Sequence, residues 1–525
     1  FLFYVLQQGS LHAAPTTDNK QQGASCFATS EPDPLPDPST SSVNVVVIGA
    51  GSAGLSAAQD LITAGFSVTL LEASNRYGGR LWSVPSQTGQ GWIEMGGQWV
   101  HGNNQPLYNL AQANGLLATD NERQIFARVS DTDNMFTLLN ADGTAVSDSP
   151  SRIRIYGAID DTVWEDSQFN SLLAQKDLSF GQHLMNSYQT VLKTVSADKR
   201  SAAEQVFDAY VREQKEDYGA ANFFDISVQS ATNITIEGPD STDLNVPYTN
   251  VLNLWAPDAV TKVQFNSLVQ QIRFDPSATK PMTVVLSSGA QISADHVILT
   301  ASLGHLKAHL DDMFSRPLSD RKRLAIQSAG FGTLGKLHLV YDTPWWEDKT
   351  LDYWTYLYNT GNDLSIDPNK TYLGAPWTRA IASFLVAPTT KKTLVILTGG
   401  PQAVQMEQLS DSDISSTITA LFQQSLGQNV PAPTTIIRAK WSQNDLFRGT
   451  YSHISLAMVK RGLTIDDLAS SEYLYQRNVN GETVQLPGLM FAGEATHPEY
   501  WSTVHGALLS GQREAQTLKD IYTSA

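Results

Sequence analysis

The order of hydrophobic and polar positions predicts a strand, a helix and a second strand near the start of the chain. Apolar residues run almost continuously over 43–48, a glycine-rich stretch follows, and apolar positions then recur at helical spacing until Gly65. A second apolar run covers residues 67–71. Continuous apolar strands joined by an amphipathic helix are typical of a parallel sheet that is covered by helices. This segment therefore predicts an α/β fold.

Similar patterns later in the chain predict that this fold is assembled from separated segments. Residues 282–302 form a hairpin pattern followed by an apolar run, residues 487–496 contain another short apolar run, and residues 505–522 have helical periodicity. We predict an α/β, Rossmann-like domain (α+β over the whole chain) built from residues 43–120, 222–315 and 441–525. A second, discontinuous domain is predicted over residues 121–221 and 316–440.

Composition narrows the function without defining it. The 525 residues carry a formal net charge of −17, which argues against non-specific nucleic-acid binding and permits attraction of a cationic substrate. No apolar run reaches the ~20 residues that a membrane-spanning helix needs, so no membrane association is predicted.

The first 42 residues are predicted to be a leader without stable structure. The sequence FLFYVLQQGSLHAAP is similar to the tail of a secretory signal, and the residues after it are polar and rich in proline. Asn233 and Asn369 begin N-glycosylation triplets. Together these features predict a secreted protein, with a cytoplasmic location as the alternative. Cys26 is the only cysteine, so no intramolecular disulfide can form.

The glycine motif at residues 49–54 predicts a dinucleotide site. Gly49, Gly51 and Gly54 match G-x-G-x-x-G between a predicted strand and a predicted helix, which is the context that gives this pattern its meaning. The first glycine makes the turn, the second lets the backbone approach a pyrophosphate, and the third allows close packing of helix and strand. Glu72 ends the second strand, where a carboxylate can bind ribose hydroxyls. Arg76 and Arg80 flank a further Gly-Gly turn that suits an anion.

A second glycine-rich match, at residues 330–336, is not predicted to bind nucleotide. The segment before Gly330 has a helical pattern, and the segment after Lys336 alternates as a strand. Both the dinucleotide fingerprint and the P-loop require the opposite order, with the helix N-terminus after the glycines. Leu337 also replaces the Ser or Thr that would bind Mg²⁺. What remains is Lys336 at a strand end, for which an ammonium in solvent is the ordinary expectation.

Five segments together resemble the flavin-containing amine oxidases, and within them the polyamine oxidases. They are GAGSAGLSAA with LLEASNRYGGRLWS, IEMGGQWVHG, GTLGKLHLVYDTPWW, WSQNDLFRGTYS and FAGEATHPEYWSTVHGALLSGQREA. The last is most similar to spermine and N1-acetylpolyamine oxidases. The resemblance covers the chain from about residue 43 to its end. It implies non-covalent FAD, a polyamine substrate held by the second domain, and molecular oxygen as electron acceptor with release of hydrogen peroxide.

The resemblance also implies roles for individual residues. Lys336 would act through a water on flavin N5, His101 would orient the amine, and Tyr451 would form an aromatic wall. Thr503 and Val504 would begin a helix directed at the flavin, and Val263 would hold the adenine through its backbone. The full set implied to bind the cofactor is Gly49, Gly51, Gly54, Glu72, Ala73, Arg80, Gly96, Gly97, Gln98, Trp99, Val263, Trp441, Gly493, Glu494, Thr503 and Val504.

Several alternatives stay open on the sequence alone. A monoamine or L-amino-acid oxidase would have the same fold, although no arginine is an evident partner for an amino-acid carboxylate. A non-catalytic binding protein on this fold, of the type that escorts prenylated GTPases, is the rival from a different class. Trp345 and Trp346 could line a substrate channel or pack in the core. The shortened segment 247–260 departs from the family pattern, which leaves one wall of the site undefined.

Overall fold

The computed structural model of the protein describes residues 40–118, 137–165, 171–232, 242–358 and 376–523, apart from single positions 88, 90, 173, 350, 352, 388 and 480. The predicted leader up to residue 39, Asn233 and Asn369 lie outside the described residues, so secretion stays a prediction. Among the helices described, none has both the length and the apolar character needed to span a membrane.

The strands are, in chain order, β1 (Asn44–Ile48), β2 (Ser67–Leu71), β3 (Ser83–Pro85), β4 (Trp92–Glu94), β5 (Thr137–Asn140), β6 (Val263–Gln264), β7 (Val269–Phe274), β8 (Met282–Leu286), β9 (Gln291–Ala294), β10 (His296–Leu299), β11 (Gly330–Gly332), β12 (Leu334–Val340), β13 (Tyr353–Leu357), β14 (Ile381–Val386), β15 (Thr393–Gly399), β16 (Thr435–Arg438), β17 (Tyr451–His453), β18 (Glu472–Val479) and β19 (Glu482–Phe491).

The helices are, in chain order, α1 (Ser52–Thr63), α2 (Pro106–Ala113), α3 (Ser149–Val163), α4 (Phe180–Leu192), α5 (Arg200–Tyr218), α6 (Gln229–Thr232), α7 (Tyr248–Trp255), α8 (Pro257–Thr261), α9 (Leu303–Ala308), α10 (Asp320–Ser328), α11 (Pro401–Gln408), α12 (Asp411–Leu426), α13 (Leu456–Lys460), α14 (Ile465–Ala469) and α15 (Val504–Thr523).

The first six-stranded sheet has the order β18-β19-β10-β1-β2-β6. Its five strands from β19 to β6 are parallel, and only β18 pairs antiparallel at the edge. The central strands are almost wholly buried, and helices α1 and α15 pack against each other on one face. This arrangement confirms the α/β class that the apolar runs predict, because continuous apolar strands need cover on both faces.

The second six-stranded sheet has the order β16-β12-β15-β14-β13-β5 and is antiparallel except for the pair β13–β5. Helix α5 packs across β13, β14 and β15. All six strands come from the segments predicted to form the second domain, while the domain limits themselves stay a prediction. Trp345 and Trp346 are buried in the core of this sheet, so the packing interpretation of these residues is correct.

The second glycine-rich match has the helix-then-strand order that the sequence predicts. Helix α10 ends at Ser328, β11 and β12 follow, and no helix begins until well past the glycines. Gly330 lies against the His453 ring, where an added Cβ would be 2.1 Å from two ring atoms. These glycines therefore serve strand packing rather than phosphate binding.

The shortened segment at residues 247–260 forms two short helices, α7 and α8, that break at Ala256. The backbone N–H of Tyr248 donates to the Glu94 carboxylate at 2.9 Å, and the Trp255 indole donates to Ser56 at 3.2 Å. Both contacts attach the segment to the first sheet and its surroundings. None of its residues lines the large cavity described below.

A buried ion pair joins three elements of the first sheet region. Arg477 on β18 donates to Asp295 at 2.8 Å, and both side chains are at most 5% exposed. The second carboxylate oxygen of Asp295 accepts from the backbone N–H of Asn44 at 2.8 Å. Since a charge left alone in such a site is strongly unfavourable, the pair fixes β18 against the start of β1.

We expect Asp295→Asn to lower the free energy of unfolding by about 3–5 kcal/mol, because it leaves the buried Arg477 charge without its partner. The exposed pair Arg448–Asp445 provides the control, since its side chains are 42% and 81% exposed. Asp445→Asn should cost less than about 1 kcal/mol. Urea unfolding of both variants, followed by tryptophan fluorescence, measures the difference. Equal midpoints for the two variants would contradict the assignment.

Candidate functional site

A cavity of about 310 Å³ lies at the carboxyl ends of the parallel strands. Ile48 at the end of β1, Leu71 at the end of β2 and Thr300 after β10 all line it. In open parallel sheets this edge is where nucleotides and substrates bind. Of the residues predicted to form the site, those that line the cavity are Gly49, Gly51, Glu72, Ala73, Arg80, Gly96, Gly97, Gln98, Trp99, His101, Lys336, Trp441, Tyr451, Gly493, Glu494, Thr503 and Val504.

The first glycine turn has the geometry that a pyrophosphate needs. Gly49 has a φ of +100°, which favours glycine. An added Cβ at Gly51 would have no nearer neighbour than the Gly79 Cα at 4.0 Å, so this position is open toward the cavity. At Gly54 the same atom would be 1.8 Å from the Gly49 carbonyl oxygen. Gly54 therefore does not line the cavity; it permits the close packing of α1 against the turn, as predicted.

Glu72 lines the cavity and also accepts a hydrogen bond from the backbone of the glycine turn. Its carboxylate oxygens accept from the backbone N–H groups of Ala50 and Ser74, both at 2.8 Å. Because these bonds fix the carboxylate at the end of β2, it is positioned to accept hydroxyl donors from a ligand. The Arg76 guanidinium donates to the carbonyls of Tyr77, Gly79 and Leu81. Arg76 thus braces the Gly-Gly turn rather than presenting a free charge.

The structure corrects the position predicted for Val263. This residue lies on β6, pairs with Leu70 of β2, and does not line the cavity. After β6 the chain turns at Asn266, whose φ is +55°, and the backbone N–H of Ser267 donates to the Glu72 carbonyl. This turn, which the sequence pattern did not reveal, brings Ser267, Leu268 and Val269 to the cavity instead. Val269, and not Val263, therefore lies where it can contact a ligand in the cavity.

An ion pair at one side of the cavity joins two of the predicted motifs. Arg80 donates to Glu494 at 2.9 Å and to the Thr450 carbonyl at 2.6 Å. The other Glu494 oxygen accepts from Ser452 and from the backbone of Ser502. The pair thus ties together the segments around residues 80, 450 and 494. Trp441 lies close by and donates to the Met95 carbonyl at 3.2 Å.

Lys336 is buried inside the cavity wall, contrary to the expectation of an ammonium in solvent. Its Nζ donates to the Gly96 carbonyl at 2.8 Å and to Gln98 Oε1 at 3.0 Å. The ammonium also lies 5.1 Å from the centre of the Trp99 ring. Burial lowers the Lys336 pKa to about 8, although the nearby Glu94, Asp243 and Glu216 oppose this change. A proton can therefore leave or return to this nitrogen near neutral pH.

Tyr451 faces the cavity beside two acidic residues that the sequence analysis missed. Its hydroxyl donates to the Glu216 backbone carbonyl, and burial together with Asp217 and Glu216 raises the Tyr451 pKa well above its ordinary value. Glu216 and Asp217, near the end of α5, line the same cavity. Burial and the neighbouring Asp217 and Glu213 raise the Glu216 pKa well above its ordinary value. Two close carboxyl groups in a buried site favour a cationic ligand.

His101 lines the cavity and lies near two other histidines, His497 and His505. His505, in the first turn of α15, has its pKa lowered to about 3 by burial and by the nearby His101 and His497. Tyr500, which lies between His497 and His505 in the sequence, has its ring centre 4.7 Å from that of His505. His505 is therefore neutral at physiological pH.

Helix α15 begins at Val504, as predicted, and both Thr503 and Val504 line the cavity. The Thr503 hydroxyl accepts from the Gly506 N–H at 2.9 Å and so caps the helix. The positive end of a 20-residue helix at this point stabilises negative charge in the cavity. The amphipathic periodicity of the sequence predicts helix α15. No such pattern predicts that α5 reaches the cavity, because its sequence KEDY is typical of an exposed charged stretch.

The fold and the cavity indicate a protein that binds a nucleotide-type ligand at the carboxyl ends of a parallel sheet, with a lysine in the cavity wall. The chain matches the family described as flavin containing amine oxidoreductase over residues 52–241 and 246–519. It belongs to this family and is a flavin-dependent amine oxidoreductase. The open face of Gly51, the carboxylate of Glu72 and the N-terminal ends of α1 and α15 fit such a cofactor.

The relatives are similar over nearly their whole length. The chain is 29% identical to the peroxisomal N(1)-acetyl-spermine/spermidine oxidase of Homo sapiens, covering 91% of this chain and 95% of that protein. It is 27% identical to the probable polyamine oxidase 5 of Arabidopsis thaliana, covering 91% and 98%. A solved structure of putrescine oxidase bound to putrescine superimposes with a TM-score of 0.61 at 20% identity, covering 91% and 98%. That structure supports the fold.

We expect Gly51→Val to give folded protein without bound flavin. The added side chain would enter the cavity rather than strike the protein, since the nearest atom to its Cβ is 4.0 Å away. Gly157→Val on α3 is the control, because a Cβ on Gly157 meets nothing within 4 Å and Gly157 does not line the cavity. The absorbance of the purified proteins near 450 nm and circular dichroism test this. Normal flavin content in Gly51→Val would refute the assignment of the turn.

Proposed function

We propose that this protein is a polyamine oxidase that binds FAD non-covalently. It would oxidise a secondary amine of spermine, spermidine or an acetylated polyamine to an aldehyde and a shorter amine, with oxygen as acceptor. The observation that carries the proposal is a buried lysine beside two buried acidic residues in one cavity. The names of the relatives, which include polyamine and N(1)-acetyl-spermine/spermidine oxidases, support the substrate class.

A bound flavin supplies the acceptance of two electrons from the amine and their return to oxygen. The chain's own contribution to the binding of FAD comes from the glycine turn, Glu72 and Arg80 on one side. Val269 would contact the adenine, and the positive end of α15 would stabilise negative charge on the reduced ring.

Lys336 is suited to hold and move a proton at its Nζ. Two carbonyl-type acceptors, Gly96 O and Gln98 Oε1, bind the protonated form, while burial favours the neutral form. Burial favours the neutral form and the nearby Glu94, Asp243 and Glu216 oppose it, which leaves the Lys336 pKa at about 8, where general acid and base catalysis is effective at neutral pH. Oxidation of an amine releases protons and reduction of oxygen consumes them, so such a group can serve both half-reactions.

The acidic wall explains why a polyamine is favoured over a neutral or aromatic amine. Glu216 and Asp217 both line the cavity, and the Tyr451 hydroxyl donates to the backbone carbonyl of Glu216. A second ammonium of the substrate can bind there while the reacting nitrogen stays neutral. His101, which also lines the cavity, can accept or donate a hydrogen bond to an amine without adding a fixed charge. An amino-acid substrate would place its carboxylate near these acids and be repelled.

Lys336→Met removes the proton carrier and keeps a side chain of similar length. We expect the variant to fold and bind FAD but to lose about 10²–10⁴-fold in turnover of spermine, or about 3–5 kcal/mol of barrier. A transition near pH 8 in the pH–rate profile should also disappear, since burial places the Lys336 pKa at about 8. Stopped-flow absorbance under anaerobic and then aerobic conditions measures the two half-reactions.

Lys322→Met is the matched control for Lys336→Met. Lys322 is also buried, its pKa is lowered to about 7 by burial, and its Nζ donates to the Leu468 carbonyl away from the cavity lining. This variant should keep near-normal turnover. If both half-reactions of Lys336→Met equal those of the unmodified protein, Lys336 has no catalytic role and the proposed mechanism fails.

Asp217→Asn tests the acidic wall and the substrate class together. We expect the KM for spermine to rise about 10–100-fold, which corresponds to the ~1.5–3 kcal/mol of a hydrogen bond to a charged group. Benzylamine has no second ammonium, so its kinetic constants should barely change. Initial rates of peroxide formation over a panel of amines give both results. A preference of the unmodified protein for benzylamine or L-leucine over every polyamine would overturn the proposal.

A further inference from the structure

A second, much smaller cavity lies next to the large one. Its volume is about 20 Å³, and its polar lining includes Glu94, Gln98, Asp243, His338 and Thr389. Gln98 lines both cavities. A space of this size holds one water, and a buried water needs two to four polar partners. The lining meets both requirements.

His338 also lines this cavity. It follows Lys336 by two residues on β12, so both side chains are on the same face of the strand. The side chain is buried, and its Nδ1 has no hydrogen-bond partner within the part of the chain that the structure describes. Burial and the Lys336 charge lower the His338 pKa to about 3, and a backbone hydrogen bond with Ile437 engages the ring. The ring is therefore neutral, and its Nδ1 presents a lone pair.

Gln98 is the link between this cavity and Lys336. Its Oε1 accepts from the Lys336 ammonium at 3.0 Å, while its Nε2 is 3.5 Å from Asp243 Oδ1, which is long for a hydrogen bond. The orientation of this amide matters, because the reversed orientation would direct two N–H donors at an ammonium group. A closer acceptor for Nε2 would hold the amide in the orientation that Lys336 requires.

We propose that one water in the small cavity accepts from Gln98 Nε2 and donates to His338 Nδ1, and thereby fixes the amide that holds Lys336. The second proton of the water is available to the carboxylates of Asp243 or Glu94. His338 is then a positioning residue that acts through the water and Gln98 and does not contact the substrate. The consequence for amine oxidation rests on the proposed function, whereas the water itself does not.

Two variants separate the acceptor from the bulk of the ring. His338→Leu fills a similar volume without an acceptor, and His338→Asn can place its Oδ1 near the position of Nδ1. High-resolution crystal structures should show the water in the unmodified protein and in His338→Asn but not in His338→Leu. Flavin reduction by spermine should slow about 10–100-fold in His338→Leu and much less in His338→Asn. The pKa assigned to Lys336 in the pH–rate profile should fall in His338→Leu, because the ammonium loses a fixed acceptor.

The possible outcomes are distinct. A small cavity without a water bonded to both His338 and Gln98 in the unmodified protein would overturn the proposal, and this holds even if neither variant folds. Equal loss of rate in the two variants would also overturn it, since packing of the ring would then be the whole effect. If the unmodified protein oxidises no polyamine, the proposed function fails, while the crystallographic water still decides the positioning proposal.

Discussion

The site depends on the burial of one lysine. An ammonium taken out of water needs acceptors, and Lys336 on the second sheet finds them at Gly96 and Gln98, which belong to the segment that follows the glycine turns of the first sheet. The hydrogen bonds therefore join two parts of the chain that are far apart in sequence. If this segment moved away from β12, the lysine would lose both acceptors at once. The hydrogen bonds that satisfy the Lys336 ammonium therefore also hold this segment against β12.

The glycine turn and the carboxylates around it form a similarly connected unit. Glu72 binds the backbone of the turn, and Glu494 binds Arg80, Ser452 and the backbone of Ser502. Each carboxylate is satisfied by donors from different segments, so each fixes the relative position of those segments before any ligand is present. A cavity preorganised in this way loses little entropy when a cofactor binds. Because each carboxylate joins different segments, the residues of this unit are spread over most of the chain.

The sequence predicts the local elements of this site better than the contacts between them. Hydrophobic periodicity and the glycine motif predict the strand–turn–helix around Gly49, and periodicity predicts the last helix. Both elements are found as predicted. The error at Val263 arose because a left-handed turn at Asn266 changes which residues of that segment reach the cavity. Glu216 and Asp217 were missed because a charged run on a helix ordinarily faces solvent, and only the packing of α5 across the second sheet buries it. Lys336 is likewise buried because β12 pairs with β15 and β16, and the local sequence pattern does not predict this pairing.

The buried acids give the cavity a charge state that depends on its ligand. Glu216 has its pKa raised by burial and by Asp217 and Glu213, so the wall carries less negative charge than its composition indicates. An incoming ammonium would favour the ionised form of the Glu216 carboxyl, and binding of a cationic amine would therefore release a proton. The same burial acts in the opposite direction on Lys336, whose proton becomes easier to remove. The same low-dielectric cavity thus favours the neutral forms of both Glu216 and Lys336, which makes a proton easier to keep on the acid and easier to remove from the base.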